Sequence, residues 1–177
     1  MEFRSIIMDE SAVGRAITRI AHEIIERNEG TEDICVVGIM RRGISLADML
    51  AQKLYELGAE VLTGTIDISH HRDDLSKTCD PKLNCTKIDF DVTGKTVVMV
   101  DDVLYTGRTS RAAMDVLISL GRPAKIQLAV LIDRGHRELP IRADYIGKNI
   151  PTSKSEVVVV SVPPFDEETN VKLYINQ

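Results

Sequence analysis

Tryptophan is absent from this 177-residue chain, and only three Phe and four Tyr are present. Aromatic platforms for unpaired bases are therefore scarce. Cysteine is also sparse and odd in number, at three. Cys79 and Cys85 lack a zinc-knuckle spacing and His neighbours, so they read as incidental loop thiols. Cys35, inside the apolar run Ile34 to Ile39, reads as a buried thiol, and a reducing cytosol is expected. The first ten residues hold neither a basic nor an apolar leader segment, and the longest strongly apolar stretch, Val157 to Val162, is far too short to span a bilayer. A cytoplasmic protein with no membrane partner follows. Neither G-x-x-x-x-G-K-[ST] nor G-x-G-x-x-G occurs, which leaves a P-loop or a dinucleotide fingerprint unsupported. Positive charge is in short supply too. The 22 Lys plus Arg against 27 Asp plus Glu give −5, a sum that argues against nucleic acid until the charges are located.

What is present is an ordinary globular composition, 44% apolar and 28% charged, at a length suited to one domain over 1–177. Asp9 to Asn28 repeats apolar residues at helical spacing, with Asp9 as a candidate cap. Ile34 to Ile39 is a continuous β-branched run, as expected of a strand buried on both faces. Ile44 to Leu57 returns to helical spacing, and Val61 to Ile68 reads as a strand. From about 70 to 91 the pattern fails, which predicts a long flexible loop. Thr96 to Val100 and Lys125 to Ile132 read as strands flanking a helix at Thr109 to Leu120. The sheet is expected to continue at Val157 to Val160, with a last strand at Val171 to Ile175. This alternation predicts an α/β fold, an open, mainly parallel sheet with helices on both faces. Ligands in such sheets bind beyond the carboxyl ends of the strands.

The most informative segment is Val97, Val98, Met99, Val100, Asp101, Asp102, Val103, Leu104, Tyr105, Thr106, Gly107, Arg108, Thr109. A buried strand leads to two adjacent carboxylates, and a polar turn then opens a helix. Free N–H groups and the dipole at that helix start favour a phosphate, Gly107 allows close approach, and Thr106 and Thr109 add hydroxyls. A phosphate alone would not want two acids beside it. A ligand that also offers vicinal hydroxyls, or a divalent cation, accounts for them. A ribose 5-phosphate meets both demands. Asp101 and Asp102 as mere helix caps is the plain alternative, but two acids with so polar a turn exceed what a cap needs. Met40, Arg41, Arg42 and Gly43 lie at another strand end, where backbone N–H groups and arginines suit a polyphosphate.

The run from Val97 to Thr109 resembles the phosphoribosyl pyrophosphate (PRPP) motif of the type I phosphoribosyltransferases. The segments Thr18 to Asn28 and Leu131 to Lys154 are similar to one branch, the bacterial pyrimidine operon attenuation regulators, which are also uracil phosphoribosyltransferases. The resemblance runs from about Ile6 to Ser155. It implies the type I fold, with a small hood formed by about 133–155 plus the C-terminal strands. It also implies transfer of a phosphoribosyl group from PRPP to uracil, giving UMP and pyrophosphate. Residue by residue, Thr106 to Thr109 would hold the 5′-phosphate and Asp101 and Asp102 the ribose hydroxyls, with Mg²⁺ chelated by PRPP. Met40 to Gly43 would take the pyrophosphate. Ile132, Asp133 and Arg134 would adjoin uracil, with Asp133 a further metal ligand. Arg72, followed by Asp73 and Asp74, matches a catalytic lid; His70 and His71 before it depart from the family's pattern.

The same resemblance implies binding of pyrimidine operon leader mRNA with UMP as co-regulator, and a homodimer or higher homo-oligomer. Thr18, Arg19, His22, Arg27, Arg137, Arg142 and Lys148 match positions that the family uses for RNA. Charge position agrees with this. From Arg134 to Lys154 there are five basic residues against two acids, a local +3, whereas 155–177 carry four acids against one lysine. Arginines on the first helix can equally form pairs with Glu23 on a solvated face. Two alternatives stay open at this stage: an RNA-binding regulator whose nucleotide pocket only senses, and a purine phosphoribosyltransferase.

Overall fold

In a computed structural model that describes residues 1–68 and 86–176, the chain runs β1 (Glu2–Met8), α1 (Glu10–Arg27), β2 (Ile34–Ile39), α2 (Arg42–Glu56), β3 (Leu62–Ile66), β4 (Thr96–Leu104), α3 (Arg108–Leu120), β5 (Lys125–Asp133), β6 (Tyr145–Asn149), β7 (Glu156–Ser161) and β8 (Asn170–Ile175). Five strands form a parallel sheet in the order β3-β2-β4-β5-β6. The remaining three form a small antiparallel sheet in the order β1-β8-β7.

The central strands bury side chains on both faces, and the alternation sorts them. Ile34, Val36, Val98, Val100, Ala129 and Leu131 point into a core shared with α1, α2 and the small sheet. Cys35, Val37, Ile39, Val97, Met99, Leu128 and Val130 point into a second core, closed by Ala112, Ala113, Val116 and Leu117 of α3. Helices thus cover both faces, as the alternating pattern predicts. The cap on α1 is also as expected, with Asp9 accepting from the Ala12 N–H at 2.7 Å. Burial raises the Cys35 thiol pKa to about 11, which keeps it protonated at neutral pH. Cys79 and Cys85 lie outside the described residues, as do residues 70–85 of the expected 70–91 loop; of the rest, Lys87 bridges to Thr65 of β3. Among the described residues no helix is long and apolar enough to cross a membrane.

Several expectations are corrected. The parallel sheet does not continue at Val157 to Val160, because β7 pairs with β8, antiparallel. A β-branched run predicts a strand but not its partner, and the alternating burial of β7 suits a sheet with one covered face. The fifth parallel strand is β6, inside the segment assigned to the hood. Its sequence Tyr-Ile-Gly-Lys-Asn is too polar to read as a strand, but it lies at the sheet edge, where partial exposure is tolerated. β1 was not anticipated either; most of its residues are exposed. β4 runs on to Leu104, paired with Asp133 of β5, so Asp101 and Asp102 lie within the strand rather than after it. α2 starts at Arg42, so Arg42 and Gly43 occupy its first turn.

Candidate functional site

The carboxyl ends of β2, β4 and β5 converge on one end of the sheet, because all three run parallel in register. At the end of β4 the chain turns through Tyr105 and Thr106 into α3. Gly107 caps that helix with φ +93°, a left-handed conformation that costs a side-chain-bearing residue about 1–2 kcal/mol. Gly107 has no side chain with which to cap α3; the Arg108 N–H, first in the helix, has Thr106 Oγ1 at 3.4 Å as acceptor. Residues 103–110 together with Arg134 and Glu138 enclose a cavity of about 400 Å³ around this turn. Asp101 is buried and Asp102 half-buried. Loss of water raises the Asp102 carboxyl pKa, against the opposing pull of the Val103 N–H, Asp101 and the Arg42 charge. Asp102 Oδ1 accepts from the Val103 N–H at 2.8 Å, and Asp101 Oδ1 from the Asp102 N–H at 2.9 Å. By contrast Val97, Val98, Met99 and Val100, included in the PRPP-motif expectation, have fully buried side chains and serve as core. The part of the motif left as candidate for ligand contact is 101–109.

Met40, Arg41, Arg42 and Gly43 lie at the end of β2, with a cis peptide between Met40 and Arg41. Gly43 is required by close packing: a Cβ there would lie 2.5 Å from the Val100 carbonyl oxygen. Arg41 is exposed. Arg42 is engaged in a two-pronged pair with Asp166, Nε to Oδ2 and Nη2 to Oδ1, both at 2.9 Å. Asp166 also accepts from the Val162 N–H at 3.0 Å. The pair raises the Arg42 pKa and lowers that of Asp166. Asp166 was missed by sequence reasoning, which placed it among peripheral tail acids; nothing in its local sequence signals a partner so far back in the chain.

The residues at the end of β5 turn out differently from their expected roles. Ile132 is fully buried in the core and offers no side-chain surface to a base. The Asp133 carboxylate accepts from the Gly135 N–H at 2.9 Å and pairs with Arg137. Arg134 is buried; its Nε donates to Thr152 Oγ1 at 3.1 Å and its Nη2 to the carbonyls of Ser153 (3.2 Å) and Glu156 (2.6 Å). Its guanidinium also stacks over the Tyr105 ring at 4.1 Å. These contacts join the site to the small sheet. No cluster of three or more His, Cys, Asp or Glu able to hold a metal exists among the described residues. Arg72 lies outside the described residues.

The basic residues do not form one surface. Thr18, Arg19, His22 and Arg27 follow the outer side of α1, which packs against β6. Arg19 Nη2 donates to the carbonyls of Ile146 (3.2 Å) and Gly147 (2.6 Å), while Nη1 pairs with Glu23 at 3.2 Å. Arg27 pairs with Asp144 at 2.8 Å, not with Glu23, and lies over the Tyr145 ring. Lys148 of β6 is exposed and donates to the Ile7 carbonyl at 3.2 Å. An open depression of about 540 Å³ is lined by Gly14, Arg15, Thr18, Arg19, His22 and Lys53. Arg142, just before β6, is exposed. Arg137 stands apart, against the Leu104 and Tyr105 carbonyls of the β4–α3 turn, with its side chain only 22% exposed.

Comparison with known proteins agrees with this geometry. A family described as "Phosphoribosyl transferase domain" matches residues 4–165. The chain is 54% identical over 176 residues to the bifunctional protein PyrR of Clostridium novyi (98% of this chain, 99% of that one). It is 57% identical over 173 residues to the bifunctional protein PyrR of Listeria monocytogenes (95% and 94%). Among solved structures, a hypoxanthine phosphoribosyltransferase of Trypanosoma cruzi superposes with TM-score 0.76 at 18% identity, over 99% of this chain and 98% of that one. A hypoxanthine-guanine phosphoribosyltransferase from Bacillus anthracis gives 0.72 at 20% identity (97% and 98%). At such identities the structural likeness speaks for the fold.

Proposed function

Because this chain belongs to the phosphoribosyl transferase family, and within it to the bifunctional PyrR proteins, we propose that it transfers the phosphoribosyl group of PRPP to uracil, forming UMP and pyrophosphate, and that with UMP bound it holds pyrimidine operon leader mRNA so that transcription terminates. The observation that carries the enzymatic half is the β4–α3 junction, where two carboxylates lie in the last part of a strand and the start of a helix whose N-cap is a glycine opens onto a cavity of about 400 Å³. In this reading the N–H groups and hydroxyls of Thr106 to Thr109 hold the 5′-phosphate. Asp101 and Asp102 accept from the ribose hydroxyls and stabilise positive charge at the anomeric carbon. Met40 to Gly43 face the leaving pyrophosphate, with Arg42 held at the site by Asp166. The backbone at Asp133 and Arg134 borders the base.

Mg²⁺ carried by PRPP fits these residues, because that ion usually keeps substrate phosphates and waters and takes only one or two carboxylates. Asp101 and Asp102 are candidates for that role; Asp133 is not, its carboxylate being engaged by Gly135 and Arg137. When bound there, the cation would supply neutralisation of the charge that develops on pyrophosphate.

The regulatory half rests on the α1–β6 face, which carries Thr18, Arg19, His22, Arg27 and Lys148, with Arg142 exposed in the chain just before β6. The working unit is read as a homo-oligomer in the cytoplasm, which a mass measurement in solution tests. Incubation with PRPP, Mg²⁺ and each free base should give product from uracil alone, and UMP should tighten a leader-RNA gel shift. UMP-dependent RNA retention without turnover would reduce the pocket to a sensor. Preference for hypoxanthine or guanine would overturn the uracil assignment.

A further inference from the structure

We propose that Arg137 is a positioning residue of the nucleotide site, an internal brace that aims the phosphate loop at its ligand, and not a contact for RNA. The inference rests on reading the 103–110 cavity as the site of the nucleotide phosphate. All three guanidinium nitrogens of Arg137 are engaged within the chain. Nη1 donates to the carbonyls of Leu104 (3.3 Å), Tyr105 (2.7 Å) and Gly135 (3.2 Å), Nε donates to Ile141 O (3.0 Å), and Nη2 pairs with the Asp133 carboxylate. A guanidinium has five N–H donors in a fixed fork. Spent on this many acceptors, it has little left to offer an external phosphate.

The carbonyls it takes are the informative part. Leu104 and Tyr105 line the cavity, and the next carbonyl, Thr106 O, accepts from the N–H groups of Glu138 (3.0 Å) and Leu139 (3.1 Å). Leu104 O also accepts from the Arg134 N–H at 3.1 Å. Three successive carbonyls of the loop are therefore held against the 134–139 segment. In a trans peptide the C=O of one residue and the N–H of the next point in opposite directions. Fixing the oxygens of 104, 105 and 106 on that segment turns the N–H groups of Tyr105, Thr106 and Gly107 the other way. Without the brace the Tyr105 oxygen would be free to rotate toward an incoming anion and repel it, while the Leu104 and Thr106 oxygens keep their backbone donors. Arg137 also sets a positive charge behind the loop, held in place by its pair with Asp133. Arginine is suited to this task because one rigid fork can hold several acceptors at once, which the single point charge of lysine cannot.

The test uses the full-length protein and three variants, Arg137→Gln, Arg137→Lys and Asp133→Asn. Affinity for UMP, KM for PRPP, kcat, and the salt dependence of leader-RNA binding without UMP are measured for each. Arg137→Gln is expected to weaken UMP binding and raise the PRPP KM about tenfold or more, with a smaller change in kcat. Arg137→Lys should recover only a minor part of that loss. Asp133→Asn, which loosens the fork without removing it, should give about a threefold loss. It carries the test if Arg137→Gln does not fold. The slope of log affinity against log salt should match the parent in all three, whereas loss of an RNA phosphate contact would lower it by about one. Parental UMP affinity in Arg137→Gln and Asp133→Asn, or a slope reduced by about one, overturns the proposal. A parent protein that binds neither UMP nor PRPP would instead overturn the reading of the cavity, and the brace with it.

Discussion

The arginines packed against the β4–α3 turn and those of the α1–β6 face are held by different means. Arg134 and Arg137 are covered, and their partners are mostly backbone carbonyls from the turns around the cavity. Arg19 and Arg27 are about half exposed and pair with Glu23 and Asp144, and Arg19 also donates to the Ile146 and Gly147 carbonyls. A covered fork bonded to backbone fixes the shape of a loop. An exposed side chain paired with a carboxylate contributes little to stability and can exchange that partner for another anion. The first arrangement suits a site that must be formed before its ligand arrives. The second suits a face that meets a large, hydrated polyanion.

The contrast can be broken most severely at the β4 end. Asp102→Asn keeps the shape of the side chain and removes its charge. A hydrogen bond to a charged acceptor contributes about 1.5–3 kcal/mol, so kcat/KM for PRPP should fall roughly 10- to 150-fold. Burial raises the Asp102 pKa. The stability it lends is thus complete below the ordinary carboxylate pKa and lost as pH rises through the raised value. The variant without substrate should therefore melt no lower than the parent at pH 7. Unchanged kinetics would remove Asp102 from the site. Next in size, Gly107→Ala forces a side chain into φ +93°. With about 1–2 kcal/mol of strain at the loop, the PRPP KM should rise about tenfold while RNA binding without UMP stays parental.

The other side of the contrast is probed by Arg142→Ala. Removing one exposed phosphate contact should weaken RNA binding several-fold and lower the salt slope by about one, with uracil turnover within about twofold of the parent. Equal RNA affinity would show that the basic face lies elsewhere. The smallest effect is expected from Asp166→Asn. Its pair with Arg42 is partly exposed, of a kind that contributes up to about 1 kcal/mol, or at most about 4 °C in Tm. The Asp166 pKa is depressed, so this stability is present above the ordinary carboxylate value of about 3.9 and lost as pH falls through the folded value. The Tm gap between parent and variant should close on acidification below that range. A gap that persists would mean the pair acts as a structural latch rather than as an ordinary surface contact.

The segment from Thr96 to Thr109 was legible because strand, acids, glycine and hydroxyls follow one another in the chain, and the chemistry needs them in that order. β2 and α1 were legible from period alone. β6 was not, because an edge strand need not be apolar, and β7 was given the wrong sheet, because valine content does not say which strand lies alongside. Arg137 and Arg142 look alike as members of a basic segment. Only the fold turns one toward the Leu104 and Tyr105 carbonyls and leaves the other in solvent. Asp166 shows the same limit over a longer span, since its partner Arg42 lies 124 positions away.

The two cores on either face of the parallel sheet also bear on how such a chain can change over generations. α1, with the basic face, packs in one core, and α3, which opens onto the phosphate loop, packs in the other. A layer of hydrogen-bonded backbone separates them. Substitutions under α1 and under α3 share few neighbours, so their energetic effects should combine nearly additively. Drift beneath the surface proposed for RNA is thereby uncoupled from drift beneath the loop proposed for phosphate. The sheet acts as a partition that lets two selective pressures operate on one small gene product with little mutual interference.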